Sequence, residues 1–396
     1  MFNFLEKITI FTFFLLIPSQ GIAATLTVPD DYLTIQAAVD AAVVGDEIHV
    51  SSGEYNDIVS ISKEVNIVGE NKETTIIDRS GEYYGFKIYA DNVKVSGFTI
   101  RNVKNGGIYL SGASGCRFEN IIITNVRGQN DYTKSTEGYG LQLIASSNNN
   151  FNTINISDVQ GGRYNTYPSG YKTGNGISLE QDSNNNMIIN CTISNITGGM
   201  GRGIRVQDST GNHIKNNEIF DIFGKNGHDV RYYTDGFKAY GIAFENSSNC
   251  TIESSRVTGI KGGDHGCEDS GWCGDDGIGF AVVFYNCTDV SVSSSSISEA
   301  DYGIYFQGNV TGVIGGRKEN ANAIFTNSFY DLYNNTSDNI DASCNSWSSQ
   351  IPDDNIFDKL DDSSKGRVSP VSTECTVVTP PPKKTSFLPA LMLLLK

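Results

Sequence analysis

An internal repeat of roughly 22 residues constrains the fold of this chain more than any other feature. Each repeat opens with a small residue and then alternates apolar and polar residues, which is the pattern of a strand with one buried face. Two further short apolar pairs follow within each repeat. The opening motif recurs at Gly107–Leu110, Gly140–Leu143, Gly176–Leu179, Gly203–Val206, Gly241–Phe244 and Gly303–Phe306.

Three short strands per repeat cannot bury their apolar faces alone, so successive repeats must stack. Stacking at about 4.8 Å per coil buries one continuous core. The sequence therefore predicts an all-β parallel solenoid of about ten coils. Asparagine triplets at 148–150 and 184–186 fall at equivalent turns. We expect their side-chain amides to bond along the stack, because asparagine also tolerates the left-handed backbone of such turns.

The first coil of a solenoid needs a cover, and an amphipathic helix precedes it in the sequence. Residues 34–44 place Ile35, Ala38, Val39 and Ala42 on one face. Thr34 is a candidate N-cap, and Gly45 is a candidate C-terminal stop. We expect this helix to cap the coil that runs from residue 47 to residue 77.

Two segments give the chain a family resemblance. Leu26–Val39, followed by Gly45–Val50 and Ser52–Tyr55, resembles the N-terminal part of pectin-lyase-like right-handed parallel β-helix proteins. Asn339–Trp347, with Gly366–Pro370, resembles a closing segment common in that group. The resemblance implies a right-handed single-stranded parallel β-helix. It leaves the activity open, because the group contains lyases, hydrolases, epimerases, copper-site maturation proteins and non-catalytic surface proteins.

These patterns divide the chain into five parts. Residues 1–24 are typical of a secretory signal peptide, with an apolar core that is too short to span a bilayer. Residues 25–46 form the predicted cap, 47–338 the β-helix and 339–376 the closing segment. Residues 377–396 are a proline-rich linker and a short apolar tail, which resembles a sorting signal or a truncated anchor. We expect a secreted or cell-surface protein, with membrane or envelope association through the tail as a hypothesis.

The net charge of the chain limits which partners it can bind, and its cysteines indicate the cellular compartment. A formal net charge of −16 argues against nucleic acid as a partner, because phosphates require clustered lysine and arginine. Eight cysteines in an exported chain favour disulfides. The expected pairs are Cys267 with Cys273 and Cys344 with Cys375. Four cysteines that recur within repeats are expected to be buried thiols: Cys116, Cys191, Cys250 and Cys287.

The repeat is interrupted at one point of the coil, just before the opening small residue. Insertions at an equivalent point of consecutive coils must emerge on one side of the stack, where they would form a wall beside the first strand. They are rich in tyrosine, whose ring suits the apolar faces of sugars. The alternative is that these rings simply pack the insertions onto the solenoid. The insertions span 127–139, 160–175, 223–240 and 261–280, with a shorter one at 197–202.

The adjoining strands carry the first candidates for chemistry. Their period places Glu180 and Glu245 on the outward face two coils apart, about 9.6 Å between backbones, with Arg205 and Gln207 between them. Carboxylates at such a separation can perform inverting glycoside hydrolysis. An arginine beside a carboxylate could instead serve a polysaccharide lyase. The structural alternative is a solvated polar ladder.

The insertions supply further candidates. His228, Asp235 and Lys238 offer a base, an acid and a cation within a short span. Four aspartates could bind calcium, since hard cations prefer clustered carboxylates: Asp264, Asp269, Asp275 and Asp276. The predicted substrate-binding residues are Tyr109, Tyr164, Tyr171, Gln207, Tyr232, Tyr233 and Trp272.

Three functional hypotheses follow. The first is an extracellular protein that binds, and as a lyase or hydrolase processes, a polysaccharide in a cleft walled by the insertions. The second is a non-catalytic cell-surface or adhesion solenoid that contacts another macromolecule. The third is a periplasmic maturation factor for a metalloenzyme, which the scarcity of histidine and methionine (four residues each) disfavours.

Overall fold

The computed structural model describes residues 23–81, 83–129, 136–162, 172–225, 237–264, 276–370 and 375. Its regular elements comprise one α-helix, α1 (Ile35–Ala41), 3₁₀ helices at Lys318–Asn320 and Pro352–Asn355, and short parallel strands. In chain order the strands are β1 (Thr25–Val28), β2 (Glu47–Val50), β3 (Gly53–Tyr55), β4 (Val59–Ile61), β5 (Asn66–Gly69), β6 (Thr75–Asp78), β7 (Tyr84–Ile88), β8 (Lys94–Lys104), β9 (Gly106–Ser111), β10 (Arg117–Arg127), β11 (Gly138–Ile144), β12 (Asn150–Gln160), β13 (Gly174–Glu180), β14 (Met187–Ile189), β15 (Thr192–Gly198), β16 (Gly201–Gln207), β17 (His213–Lys215), β18 (Glu218–Gly224), β19 (Ala239–Glu245), β20 (Thr251–Glu253), β21 (Arg256–Lys261), β22 (Gly279–Ser293), β23 (Ser296–Ser298), β24 (Tyr302–Ile314), β25 (Ala323–Phe325), β26 (Tyr330–Asn335), β27 (Ile340–Asp341), β28 (Ile356–Phe357) and β29 (Val368–Ser369).

Each strand pairs in parallel with the equivalent strand of the next coil, which confirms the predicted solenoid. The first face stacks β4, β7, β9, β11, β13, β16, β19, β22, β24, β26 and β28. The second face passes through β14, β17 and β20, and the third passes through β15, β18 and β21. Long strands such as β10 and β12 bend from the second face to the third.

The opening small residue of each repeat is required by the close approach of successive coils. A Cβ atom on Gly176 would lie 2.5 Å from the carbonyl oxygen of Gly203 and 2.5 Å from a methyl group of Ile193. The same crowding surrounds Gly140 and Gly241. Inside the stack the apolar side chains are fully buried, and like residues align. Phe118 and Phe151, for example, stack with ring centroids 5.0 Å apart, and so do rings in the later coils.

The predicted asparagine ladder forms along one turn and is longer than expected. The side-chain nitrogen of Asn149 donates to the side-chain oxygen of Asn186 (3.0 Å), and that of Asn186 donates to Asn212 (3.2 Å). Each oxygen also accepts a backbone N–H from the preceding coil. The ladder therefore satisfies polar groups that would otherwise be buried without partners. Neighbouring Asn148 and Asn185 adopt the left-handed backbone, as expected.

The N-terminal cap is present but shorter than predicted. Helix α1 begins after Thr34, whose side chain accepts the N–H of Ala37 (3.1 Å), and buries Ile35, Ala38 and Val39 against the first coil. It ends at Ala41 and not at the expected residue 44, because Ala42 already leaves the helical conformation. Within the described residues no helix is long and apolar enough to cross a membrane.

The cysteines that the structure describes agree with expectation. A disulfide joins Cys344 to Cys375, with Cα atoms 5.1 Å apart. Four cysteines are buried free thiols, as predicted: Cys116, Cys191, Cys250 and Cys287. The predicted pair Cys267–Cys273 lies outside the described residues.

Candidate functional site

The outward side of the first face carries the polar side chains that the sequence indicated. The observed register aligns Tyr109, Gln142, Ser178, Arg205 and Ala243 in consecutive coils, as the repeat predicted. A second row passes through Ile144 and Glu180, and Gln207 pairs with Glu245 in the following coils. A third row was not anticipated. It aligns Tyr139, Asn175, Arg202, Tyr240 and Phe280 at the start of each strand.

Arg205 bridges the two glutamates that the sequence placed two coils apart. One terminal nitrogen of its guanidinium lies 3.4 Å from Glu180, and the other lies 3.1 Å from Glu245 and also donates to Gln207. Ser178 donates a further hydrogen bond to Glu180 at 2.6 Å. The side chains of Arg205 and Glu180 are each 15% exposed, and that of Glu245 is 25% exposed. The space between the two carboxylates is therefore filled by the guanidinium.

The environment of Arg205 keeps this arginine charged. Burial opposes the charge, but the carboxylates of Glu245 and Glu180 outweigh it and raise the pKa of the Arg205 guanidinium. A proton-abstracting base must lose its proton near the working pH. Because Arg205 stays protonated, it is suited to binding a ligand by charge and hydrogen bonding and not to abstracting a proton.

A second arginine lies beside the first. The guanidinium of Arg202 is 3.6 Å from Glu245 and lies over the ring of Tyr240, 5.8 Å from its centroid. Its side chain is 11% exposed. Burial lowers the pKa of Arg202, and the positive charge of Arg205 lowers it further. The two arginines therefore share one carboxylate in a largely buried setting.

A third acidic residue completes the group. Glu137 accepts hydrogen bonds from the hydroxyl of Tyr139 (2.7 Å) and from the side-chain nitrogen of Asn175 (3.0 Å). Burial, followed by the charge of Glu137, raises the pKa of the Tyr139 phenol. We call the whole group the Arg205 cluster, which comprises Glu137, Tyr139, Asn175, Ser178, Glu180, Arg202, Arg205, Gln207, Tyr240 and Glu245.

Several polar atoms of the Arg205 cluster are buried without a hydrogen-bond partner. They are Oδ1 of Asn175, Nε of Arg202 and Nε of Arg205, three of the six such side-chain atoms in the described part of the chain. Asn175 and Arg202 are direct register partners on adjoining strands, and Arg202 shares Glu245 with Arg205. Buried polar groups are nearly always paired in proteins. One unpaired acceptor beside two unpaired donors thus marks a place where a polar ligand would gain hydrogen bonds.

The insertions leave the stack directly beside this cluster. Their first and last residues, which we call the insertion feet, bond to one another from coil to coil. Gly162 is typical: its N–H donates to Thr136 (2.9 Å), and its carbonyl accepts from Lys172 (2.7 Å). Further such bonds join Gly199 to Lys172, Lys225 to Gly198, Phe237 to Lys225, Gly263 to Phe237 and Gly277 to Gly263.

Glycine is needed at the insertion feet because neighbouring backbones touch. A Cβ atom on Gly162 would lie 2.3 Å from the carbonyl oxygen of Gln129, and one on Gly224 would lie 1.7 Å from that of Phe237. The feet therefore form an ordered edge along one side of the Arg205 cluster.

Outward aromatic rings continue the first face towards the C-terminus. Phe280 stacks on Tyr240 (5.4 Å between centroids) and on Tyr302 (5.2 Å). In a neighbouring column Tyr305 stacks on Tyr333, with ring centroids 5.2 Å apart. The rings of this column are perpendicular to those of the first column. These rings pack mainly on one another, which favours the packing interpretation for Tyr240. On the other side of the cluster, Tyr109 contacts two more tyrosines, Tyr84 and Tyr89.

Most of the residues predicted on the insertions are not among those that the structure describes. The following lie outside the described residues: His228 and Asp235; Tyr164, Tyr171, Tyr232, Tyr233 and Trp272; Asp269 and Asp275. Lys238 is described, and its ammonium lies 5.9 Å from the ring centroid of Phe280. Asp264 and Asp276 belong to insertion feet. Among the residues that the structure describes, no group of three histidine, cysteine, aspartate or glutamate side chains could hold a metal ion.

Sequence reasoning did not identify Glu137, Asn175 or Arg202, the contact of Ser178 with Glu180, or the places of Tyr139 and Tyr240 in the cluster. Asn175 and Arg202 each stand immediately before the opening glycine of a repeat. This shared position was visible in the sequence. The outward direction of these side chains was not, because strict alternation from the buried Ile177 and Ile204 would place Asn175 and Arg202 on the inward side.

Comparison with known proteins agrees with this architecture. Residues 84–275 match the family model described as right handed beta helix region. Among curated protein sequences, none matches this chain.

Several solved structures are similar in shape at low identity. An alginate lyase from Paenibacillus sp. str. FPU-7 is 13% identical, with 89% of this chain and 99% of that chain covered and a TM-score of 0.37. The A-module of a mannuronan C-5 epimerase from Azotobacter vinelandii is 14% identical, with 87% and 95% covered and a TM-score of 0.45. A family PL6 polysaccharide lyase from Pseudopedobacter saltans is 13% identical, with 81% and 66% covered and a TM-score of 0.46.

The family match and the parallel stacking of three strands per coil agree with the resemblance read from the sequence. The protein is a right-handed parallel β-helix, and its residues 84–275 are similar to the right handed beta helix family.

Proposed function

We propose that this protein is an extracellular polysaccharide-binding β-helix that holds a glycan against the Arg205 cluster. The observation that carries the proposal is the set of buried, unpaired polar atoms on Asn175, Arg202 and Arg205, on an outward face beside the insertion feet. Hydroxyl-rich ligands form many hydrogen bonds with such groups. Polar side chains held by neighbours also need little reordering on binding.

Binding fits this geometry better than inverting hydrolysis does. An inverting pair requires two carboxylates on opposite sides of the scissile bond, with room for a water molecule. Between Glu180 and Glu245 the space is taken by Arg205. Arg205 also stays protonated, which disfavours its use as the base of a lyase.

Calorimetric titration with a panel of soluble polysaccharides tests the proposal. We expect saturable binding by the wild-type protein and at least a tenfold loss of affinity in Arg205→Ala. The matched control is Arg256→Ala, which removes an exposed arginine from the third face of a neighbouring coil. No binding to any glycan, or an equal loss in both variants, would overturn the proposal.

Product release distinguishes a binder from an enzyme in the same samples. Incubation with each bound polysaccharide is followed by assays for reducing ends and for the ultraviolet absorbance of unsaturated uronic products. A binder yields neither product. Accumulation of one of them, lost in Glu180→Gln or Glu245→Gln at unchanged melting temperature, would replace the binding function with hydrolysis or elimination.

A non-catalytic surface solenoid is the second candidate, favoured by the same bridged carboxylates. In that case the first face would contact a macromolecule other than a glycan. Failure of the whole glycan panel, together with retention of the protein on intact cells, would favour this alternative.

A further inference from the structure

The Arg205 cluster is poorly suited to an acidic ligand. It contains three carboxylates, on Glu137, Glu180 and Glu245, and two guanidinium groups, on Arg202 and Arg205. One negative charge is therefore in excess. The whole chain carries −16, so the surrounding field repels anions as well. Lys238 adds a cation only over the Phe280 ring, one coil beyond Tyr240.

The terminal N–H groups of Arg205, which would bind a carboxylate most strongly, are already engaged. A uronic carboxylate is bound best by a guanidinium that offers two N–H groups in parallel. The terminal nitrogens of Arg205 already contact Glu180, Glu245 and Gln207. A uronate could reach this guanidinium without breaking these contacts only through Nε, and it would bring a fourth carboxylate into a largely buried group, which is costly without further cations.

The unpaired atoms describe the complementary ligand. Oδ1 of Asn175 lacks a donor, while Nε of Arg202 and Nε of Arg205 lack acceptors. A carboxylate can only accept hydrogen bonds, so it leaves Asn175 unpaired. A sugar hydroxyl both donates and accepts, and an acetamido group combines an N–H donor with a carbonyl acceptor. Either group can satisfy the whole set without adding charge.

We infer that the ligand of the Arg205 cluster is an uncharged glycan that presents hydroxyl or acetamido groups, and not a polyuronate. This inference rests on the proposed function, since it specifies the class of glycan at the same site. The side chain of Asn175 favours a ligand group that can donate a hydrogen bond, because its nitrogen is already committed to Glu137 and its oxygen is unpaired.

The test compares three hexasaccharides of glucose, N-acetylglucosamine and galacturonic acid by calorimetry at low and high salt. We expect the glucose or the N-acetylglucosamine chain to bind with an affinity that changes less than twofold with salt. The galacturonate chain should bind at least tenfold more weakly. Tighter binding of galacturonate, falling steeply with salt, would overturn the inference while leaving the proposed function intact. Absence of binding by all three chains and by the polysaccharide panel would overturn both.

Two sets of variants make the test specific to the cluster. Asn175→Leu should weaken neutral-glycan binding about tenfold, the equivalent of about 1.4 kcal/mol. Asn150→Leu is the matched control, because Oδ1 of Asn150 is also buried and unpaired but lies on the second face. The double variant Glu180→Gln/Glu245→Gln should gain galacturonate binding at least tenfold. Melting curves identify any variant that fails to fold, and an unchanged ligand preference in the folded double variant would contradict the inference.

Discussion

Arg205 shows how one side chain can organise the outward face of a strand whose other face lies in the hydrophobic core. It connects residues from three coils, because Glu180 precedes its own strand by one coil and Glu245 follows by one. Each contact is less than a third exposed, so solvent screens it only in part. The cluster is therefore held together by charge as well as by the stacked backbone.

Replacement of Arg205 should destabilise the fold measurably. Arg205→Ala leaves Glu180 and Glu245 without their shared cation, and we expect a loss of about 1–3 kcal/mol in the free energy of unfolding. Adding Glu245→Gln should restore part of the loss, because one of the two unpaired charges is removed. Denaturant unfolding of both variants measures the effect. The exposed control Arg256→Ala should change stability by less than about 0.5 kcal/mol; an equal loss in that control would refute the role of the bridge.

Asp331 should give the closing region a pH dependence. Burial raises the pKa of Asp331, although the backbone and hydroxyl of Ser348 and the amide of Asn327 donate hydrogen bonds to it. The raised pKa means that the folded state holds this proton more tightly than the unfolded state. The folding stability that this tighter proton binding contributes is present at pH values below the ordinary aspartate pKa of about 4. It is lost as the pH rises through the raised pKa of Asp331.

The variant Asp331→Asn keeps the size of the side chain and removes the titration. We therefore expect the melting temperature of the wild-type protein, relative to that of Asp331→Asn, to fall as the pH is raised from about 4 towards neutrality. Melting curves across this range measure the difference. A difference that stays constant with pH would show that Asp331 is not the titrating group.

At the scale of single elements, the opening glycine of each repeat limits what the coil can accommodate. Its missing side chain lets one strand approach the next and leaves room for an inward isoleucine. Ala281 takes the equivalent position in the coil after Gly241 and is fully buried. The repeat motif is thus a packing requirement and carries no chemistry of its own.

Gly176→Ala should cost about 1–3 kcal/mol, since its Cβ atom would lie 2.5 Å from a backbone carbonyl that cannot move without shifting a coil. Gly53→Ala is a matched control, because its Cβ atom would meet only the ring of Tyr55, at 3.4 Å. Chemical denaturation measures both variants. Equal stability of the two variants would show that the coils can separate enough to admit a methyl group.

At the scale of the whole molecule, the six cysteines that the structure describes are of two kinds, disulfide-bonded and free. The disulfide joins two residues of the closing segment, Cys344 and Cys375, and closes a loop with a sequence separation of 31. The four free thiols lie in the wall of the solenoid, where burial raises the pKa of each to about 11. Their thiolate forms are therefore scarce at neutral pH.

Thiol mapping by mass spectrometry tests this division. In the native protein we expect Cys116, Cys191, Cys250 and Cys287 to resist alkylation and to react only after unfolding. The variant Cys344→Ser should lose about 2–4 kcal/mol of stability, because the unfolded chain regains the freedom of the loop. Rapid native labelling of any of the four buried thiols would contradict the assignment.

Much of the architecture could be predicted from the sequence by itself. The repeat specified the stacking, the register of the outward rows and the separation of Glu180 from Glu245, since a period of two residues fixes which face each side chain occupies. Thr34 as the helix cap, the asparagine ladder and the disulfide Cys344–Cys375 followed from equally local rules.

Only the tertiary structure decided how the outward side chains meet. Arg205 fills the space between the two glutamates because its side-chain rotamer, and those of Glu180 and Glu245, are set by packing between three coils. The inclusion of Asn175 and Arg202 depends on a departure from strict alternation before the opening glycine, and that of Glu137 depends on its contacts with Tyr139 and Asn175. Such contacts join residues as many as 40 positions apart in the sequence, so no local pattern encodes them. The repeat determines where side chains can lie, and packing between coils determines which polar groups are paired and which remain available to a ligand.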